Sequence, residues 1–235
     1  MDTSRFTEKL TSFGLTRQEA ALYLCLMQNG ELTGYEAAKQ TGISRSNAYN
    51  ALAGLVEKGA AYTKEGAAVR YHTVALEEFC TNKIRALEEL KEELKEHLPC
   101  KKTDAEGYLT ITGDTHIRDK VRNMLAASKE RMYLSMAADY VALFEQEIKQ
   151  AIEKGQKAVI LTDGPVSIPG AVAYRTEQKD MQIGVITDSA YVLTGEYGRG
   201  GISTCLYSGQ PNFVQVFKDS MHNEIKLIQL LKGEQ

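Results

Sequence analysis

Residues 32–73 read LTGYEAAKQTGISRSNAYNALAGLVEKGAAYTKEGAAVRYHT. The order of signals within them decides the fold of the N-terminal part. Thr33 suits a helix cap, Tyr35, Ala37 and Ala38 follow on a short helix, and Gly42 suits the left-handed turn that ends it. Ser44 is the N-cap of a second helix, whose apolar positions Ala48, Leu52, Leu55 and Val56 recur at helical spacing. Gly59 stops that helix. Residues 60–63, the turn Lys64-Glu65-Gly66 and residues 68–73 then read as a two-stranded ribbon, the wing. Helix, glycine turn and helix are what a helix-turn-helix needs to lay its second helix in the major groove.

The chemistry at the start of that second helix agrees. Arg45, Ser46, Asn47, Tyr49 and Asn50 crowd its first two turns, behind Thr33 and Ser44. Arg suits guanine, Asn suits adenine, and hydroxyls suit phosphate oxygens. Lys64 and Arg70 sit on the wing, within reach of a DNA backbone or minor groove. The plainer alternative is a small helical domain with a polar surface helix and an ordinary hairpin.

Three linked motifs carry a family resemblance. They are Phe13-Gly14-Leu15-Thr16-x-x-Glu19-Ala20-x-x-Tyr23-Leu24, then Ala37-Ala38-Lys39-x-x-Gly42-Ile43-x-Arg45-Ser46-x-x-Tyr49, then Leu52-x-x-Leu55-x-x-Lys58-Gly59. The wing ending Arg70-Tyr71-His72 with Val74 fits as well. Over roughly its first third the chain resembles the TrmB-like transcriptional regulators, bacterial and archaeal winged-helix proteins. The resemblance implies the fold, DNA binding and dimerisation; it supplies neither operator nor effector.

With 235 residues, 43% hydrophobic and 25% charged, the chain is long enough for two domains. No apolar run approaches the roughly 20 residues needed to span a bilayer, and MDTSRFTEKL lacks a signal core, so a cytoplasmic location is expected. Cys25, Cys80, Cys100 and Cys205 are scattered without a CxxC pair, which argues against zinc and against a disulfide framework. No metal or cofactor is expected. The net charge is −3, but the acidity is uneven. Residues 1–76 carry 8 Lys+Arg against 7 Asp+Glu, and residues 77–106 carry 6 against 9. A mildly basic reader predicts modest non-specific affinity and operator binding that needs two protomers.

From Leu76 to Leu98 the chain is rich in Glu, Lys and Leu. Cys80, Ile84, Leu87, Lys91, Leu94 and Leu98 step alternately by four and three, with Leu90 alongside and Pro99 as the stop. That is the seam of a short coiled coil, interrupted by Lys91, and it predicts a dimer stalk over residues 77–100. The alternative is one amphipathic helix packed on its own domain.

Past Lys101-Lys102 the pattern alternates. Strands are expected at 108–112, 132–136, 158–162, 182–187, 190–194 and 203–207. Helices are expected from Asp114, as cap, to about Ser128, from about Asp139 to Lys154, and from about Asn212 to Leu231. Such alternation predicts an α/β unit over residues 101–235 with a mostly parallel sheet. Phe213, Phe217, Met221, Ile225 and Ile228 align on one face of the last helix, a stripe that packs its own core. This half is similar to the phospholipase D-like effector domain of the TrmB-like family. The marks are Ala126 with Met132–Met136, Lys154-Gly155 before Val159-Ile160-Leu161, and Ile183-Gly184-Val185-Ile186-Thr187-Asp188. Active relatives use a His with a Lys two residues later, and none of His72, His97, His116 or His222 has one. The resemblance therefore implies an inherited binding scaffold and not an enzyme.

Ligands of open α/β sheets sit beyond the carboxyl ends of strands. Ser135, Met136, Asp163, Asp188, Glu196 and Tyr207 are placed there by the expected strands, with Arg199 in Gly198-Arg199-Gly200-Gly201 as a partner for an anion. That cluster lacks Gly-Lys-Ser/Thr and GxGxxG, and also reads as a flexible loop with a solvated Arg. The sequence thus points to a homodimeric DNA-binding transcriptional regulator with a sensing C-terminal domain. Two alternatives remain, a degenerate phospholipase D-like phosphodiesterase and a winged-helix scaffold for protein contacts.

Overall fold

The Thr16 hydroxyl accepts a hydrogen bond from the Glu19 amide at 3.2 Å, while the Glu19 carboxylate accepts one from the Thr16 amide at 2.7 Å. This reciprocal cap starts the first long helix of a computed structural model that describes residues 3–98 and 107–233. The chain falls into two compact units, residues 1–101 and 102–235.

In the first unit α1 (Thr3–Thr11) and α2 (Arg17–Asn29) lead into β1 (Leu32–Thr33), α3 (Gly34–Thr41) and α4 (Arg45–Glu57). The wing strands β2 (Ala61–Lys64) and β3 (Arg70–Thr73) follow, then α5 (Leu76–His97). The expected cap at Thr33 is present, closed by Glu36, and Gly42 ends α3 at φ 72°. That left-handed turn is open to glycine without strain and sets α4 across α3. Ser44 is at the N-cap position of α4, but its hydroxyl makes no capping bond. The sequence reading also missed β1, which adds a third antiparallel strand by pairing Leu32 with Tyr71 and Thr33 with Arg70.

Leu22, Tyr23, Leu26, Leu52 and Leu55 are sealed in one core with Phe79 from α5. Phe79 lies 5.9 Å from the Tyr23 ring, and the Tyr23 hydroxyl donates to the Val74 carbonyl at 2.8 Å. The first turns of α5 are thereby anchored to the winged helix. Cys80 packs against the same core, and burial pushes its thiol up. It therefore does not stand in the exposed seam where the heptad spacing put it. Pro99 and Cys100 lie outside the described residues.

The second unit runs β4 (Tyr108–Thr112), α6 (Asp114–Ala127), β5 (Arg131–Met136), α7 (Ala138–Ala142), α8 (Glu145–Glu153) and β6 (Lys157–Thr162). It continues with β7 (Val172–Arg175), β8 (Gln182–Thr187), β9 (Tyr191–Glu196), β10 (Thr204–Ser208) and α9 (Pro211–Gly233). The seven strands are ordered β4-β10-β9-β8-β5-β6-β7. Only β5–β6 and β6–β7 are parallel, so the expectation of a mostly parallel sheet is corrected. The reason lies in the connections. Between β8 and β9 stand Asp188, Ser189 and Ala190, the first two at φ 51° and 54°. Parallel strands need a crossover of about a dozen residues or more, and so short a link obliges a hairpin.

The single helix expected over 139–154 is two, because the chain turns at Phe144 (φ −117°, ψ 10°) and buries that ring completely. Asp114 does not cap α6, whose N-cap is Gly113. β7 was not anticipated. One face of the sheet, with Met132, Leu134, Ile183, Val185 and Leu193, packs under α6, α7 and α8. On the other face Ile186 and Val192 meet Val214 and Met221 of α9, with Tyr133, Phe213 and Phe217 beside them. The aromatic stripe thus packs core, as its spacing indicates.

Candidate nucleic-acid interface

The apolar side of α4, Ala48, Ala51, Leu52 and Leu55, is buried, so the helix must turn its other residues outward. Arg45, Ser46, Asn47, Tyr49 and Asn50 are all exposed. Ser44, Ser46, Asn47 and Asn50 have no side-chain hydrogen bond among the described residues, leaving their polar groups unspent. Arg45 differs: its guanidinium stacks 4.5 Å from the centre of the Tyr35 ring on α3. Such a contact orients the fork without using any of its donors. Gly34 lies against the Tyr49 ring so closely that a Cβ there would collide with it. The sequence does not mark Tyr35 or Gly34 as part of this surface, since no spacing rule links residues across a helix-turn-helix.

Thr33 is placed differently. Its hydroxyl accepts from the Glu36 amide at 3.2 Å and donates to the Glu36 carboxylate at 2.9 Å, so it is engaged in the cap. The wing cations also have partners. Lys64 and Arg70 face each other across β2 and β3, the last pair before the turn of the wing. Lys64 Nζ lies 3.0 Å from a Glu31 carboxylate oxygen, and Arg70 donates to the Glu31 carbonyl at 3.1 Å with Glu36 at 3.7 Å. Glu31 and Glu36 are therefore part of this surface, a feature that a count of basic residues hides.

On α5 and at its C-cap, Ile84, Leu87, Leu90, Leu94 and Leu98 are 46–61% exposed. Five large apolar side chains along one helix and its C-cap are a surface with no partner in the described residues.

The candidate effector residues do not converge. Antiparallel neighbours send strand ends to opposite edges of the sheet. Met136 opposes Ile183 and Gln182 opposes Glu196, so Ser135, Met136, Asp163, Glu196 and Arg199 belong to one edge. Asp188 follows the other end of β8 and is bonded at the start of β5, while Tyr207 stacks on Tyr191 at 5.7 Å. Several of the seven are structural. Met136 is fully buried, and Tyr207 carries Lys120 over its ring at 3.6 Å. Asp163 accepts from the Ala138 and Lys179 amides at 3.0 and 3.1 Å. Asp188 accepts from the amides of Lys129, Glu130 and Arg131 at 2.8, 2.8 and 3.0 Å and from the Ser128 hydroxyl. Burial raises the Asp188 carboxyl, but those donors outweigh it and leave it below the usual range.

Arg199 pairs with Glu196 at 3.2 Å. The glycine cluster around it turns its amides inward: Gly198 and Gly200 donate to the Asp114 carboxylate at 3.0 and 2.8 Å, and Ser203 at 2.5 Å. The Ser203 hydroxyl leads the groups that hold Asp114 low. The anion in this cradle is thus the chain's own. Among the described residues no cluster of three His, Cys, Asp or Glu is placed to hold a metal ion, and no helix is long and apolar enough to cross a membrane.

Comparison with known proteins finds the following similarities. Residues 10–77 match the family model "Sugar-specific transcriptional regulator TrmB". The protein YrhO of Bacillus subtilis (strain 168) is 28% identical over 234 residues, covering 95% of this chain and 85% of YrhO. Among solved structures, that of TrmBL2, an archaeal chromatin protein, is similar with a TM-score of 0.48 and 22% identity, over 96% of this chain and 99% of that one. Nuc from Salmonella typhimurium, a phospholipase D family member, has a TM-score of 0.40 and 13% identity, over 51% of this chain and 95% of its own. From Leu10 through the wing to the start of α5, this chain is a winged helix-turn-helix that matches the TrmB family model, and an α/β unit follows it.

Proposed function

We propose that this chain is a cytoplasmic, homodimeric transcriptional regulator that reads a palindromic operator with α4 and senses a small molecule with its second unit. The observation that carries the reading is the tip of α4. Arg45, Ser46, Asn47, Tyr49 and Asn50 stand outside while Ala48, Ala51, Leu52 and Leu55 of that helix are buried. Such a surface combines a bidentate guanine donor with amides suited to adenine. The TrmB match, a family of transcriptional regulators, supports the same role.

Dimerisation is supported by the exposed seam on α5. Pairing it with a second copy removes Ile84, Leu87, Leu90, Leu94 and Leu98 from water, and two-fold symmetry matches an operator with two half-sites. A bound effector acts only through different affinities for two arrangements of the dimer. The second unit is read as a binding scaffold and not an enzyme, because no histidine precedes a lysine by two positions.

Genome-wide DNA capture followed by binding assays tests the proposal. The Arg45→Ala/Asn50→Ala variant is expected to keep non-specific affinity and lose preference for the captured sites. Unchanged preference in that variant refutes the assignment of α4 as reader.

A further inference from the structure

Three side chains with no partner among the described residues meet at one small cleft between the sheet and α9. Tyr133 of β5 and Ile186 of β8 are directly opposed across the strands and form its floor. Met221 and Ile225 of α9 wall it, and Lys218 and His222, one helical turn apart, stand on its rim. The cleft measures about 160 Å³. That is the scale of the ~150 Å³ engineered cavity that accepts benzene. Its apolar part comes from Ile186, Met221 and Ile225, the first two at the sheet–helix core. Asp219 also lines the cleft, but its carboxylate accepts from Gln215 at 2.8 Å, along its own helix.

Lys218 is half-buried yet has neither hydrogen bond nor ion pair among the described residues. An ammonium held at the edge of apolar surface without a counter-ion is a poor arrangement for stability alone. The Tyr133 hydroxyl and the His222 ring add two more donors around the same opening. The larger groove of about 690 Å³ at the other half of α9 differs, because there Glu224 already accepts from Thr176 and Lys179 at 2.6 and 2.7 Å.

We propose that this cleft is a ligand site for a small organic monoanion with a compact apolar body, a carboxylate of benzoate size. Lys218 takes the charge, Tyr133 and His222 complete the hydrogen bonds, and Ile186, Met221 and Ile225 hold the body. The assignment deepens the proposed sensing role and rests on it. It differs from the six strand-end residues and Arg199 expected from sequence, since the cleft lies on the face of the sheet under α9.

The test uses the full chain and benzoate, followed by saturation-transfer NMR, with benzyl alcohol as a neutral probe of nearly the same shape. Benzoate is expected to bind, and Lys218→Met to weaken it about tenfold, the usual effect of losing one charge-assisted hydrogen bond. Ile225→Phe, which fills the mouth from the half-buried wall of α9, is expected to abolish binding while circular dichroism stays unchanged. Absence of benzoate binding to the folded wild type at millimolar concentration overturns the site. Equal affinity for benzyl alcohol, or full affinity in Lys218→Met, overturns its anion chemistry. Affinity for captured DNA is read on the same samples. Benzoate binding that leaves DNA affinity unchanged keeps the site and refutes the sensing role, so the two failures are told apart.

Discussion

Replacing Glu31 with Gln separates what the wing does for folding from what it does for DNA. In the free protein Lys64 Nζ sits 3.0 and 3.2 Å from the two Glu31 oxygens. The Lys64 side chain is 67% exposed and that of Glu31 34%. An ion pair in such a setting is worth about 0.2–1 kcal/mol, so the substitution leaves folding nearly untouched. For DNA the same energy has the opposite sign. A phosphate must compete with Glu31 for Lys64, and removing the competitor returns that energy to binding. The expected gain is roughly 1.4- to 5-fold in affinity per protomer. Where Lys64 adds a phosphate contact, the slope of log K against log salt steepens by about 0.9. Arg70 keeps its bond to the Glu31 carbonyl in the variant, which isolates the effect to Lys64. Fluorescence anisotropy on captured DNA between about 50 and 200 mM salt reads both quantities. An unchanged slope together with unchanged or weaker affinity refutes the placement of Lys64 at a phosphate.

Other perturbations follow from the same geometry. Tyr35→Leu removes the platform under Arg45 and is expected to cost about 0.5–1 kcal/mol of discrimination at the base Arg45 reads, while Tyr35→Phe keeps it; competition binding with substituted sites checks the pair. Leu87→Glu with Leu94→Glu places like charges in the α5 seam and is expected to give a folded monomer by analytical ultracentrifugation, with specific affinity falling far more than the melting temperature. Glu19→Gln removes a 2.6 Å pair with Lys58 and is expected to destabilise the first unit by about 1.5–3 kcal/mol at neutral pH. Burial raises the Glu19 carboxyl, but bonds from Lys58 and Thr16 outweigh it and leave the folded value low. Its contribution is therefore present above the unfolded value of 4.5 and fades as pH falls through the lower folded one, so urea melts of wild type and variant should converge in acid.

The N-terminal unit was legible because its signals are local. Thr33, Gly42 and Gly59 mark ends within a few residues, and each follows from backbone chemistry that no distant contact overrides. What escaped were pairings across the fold. β1 is two residues long and exists only because β3 passes beside it. Glu31 reaches Lys64 over 33 positions, and Tyr35 reaches Arg45 over a turn, so composition counted the wing cations as free when they are not. Cys80 fits a heptad as well as Ile84 does, yet Phe79 beside it is sealed in the core and takes Cys80 along.

In the second unit the error and its remedy both lie in chain length. Strand positions other than β7 are legible in the sequence, but its alternation of strands and helices predicts a mostly parallel sheet. The three residues between Thr187 and Tyr191 contradict that on their own, since they cannot carry a crossover. Once β8 and β9 form a hairpin, the two ends of the sheet exchange roles from strand to strand. A rule about carboxyl ends then collects residues from both edges; β8 also runs antiparallel to β5 while β6 runs parallel to it, which is why Asp163 and Asp188 never meet. Asp163 latches the start of α7, and Asp188 latches the start of β5 with four donors. Carboxylates so fully engaged at home have little left for a ligand, whereas Lys218 has its whole charge to offer. Unspent hydrogen-bonding capacity beside a cavity is therefore the better guide to a binding site in this sheet than position at a strand end.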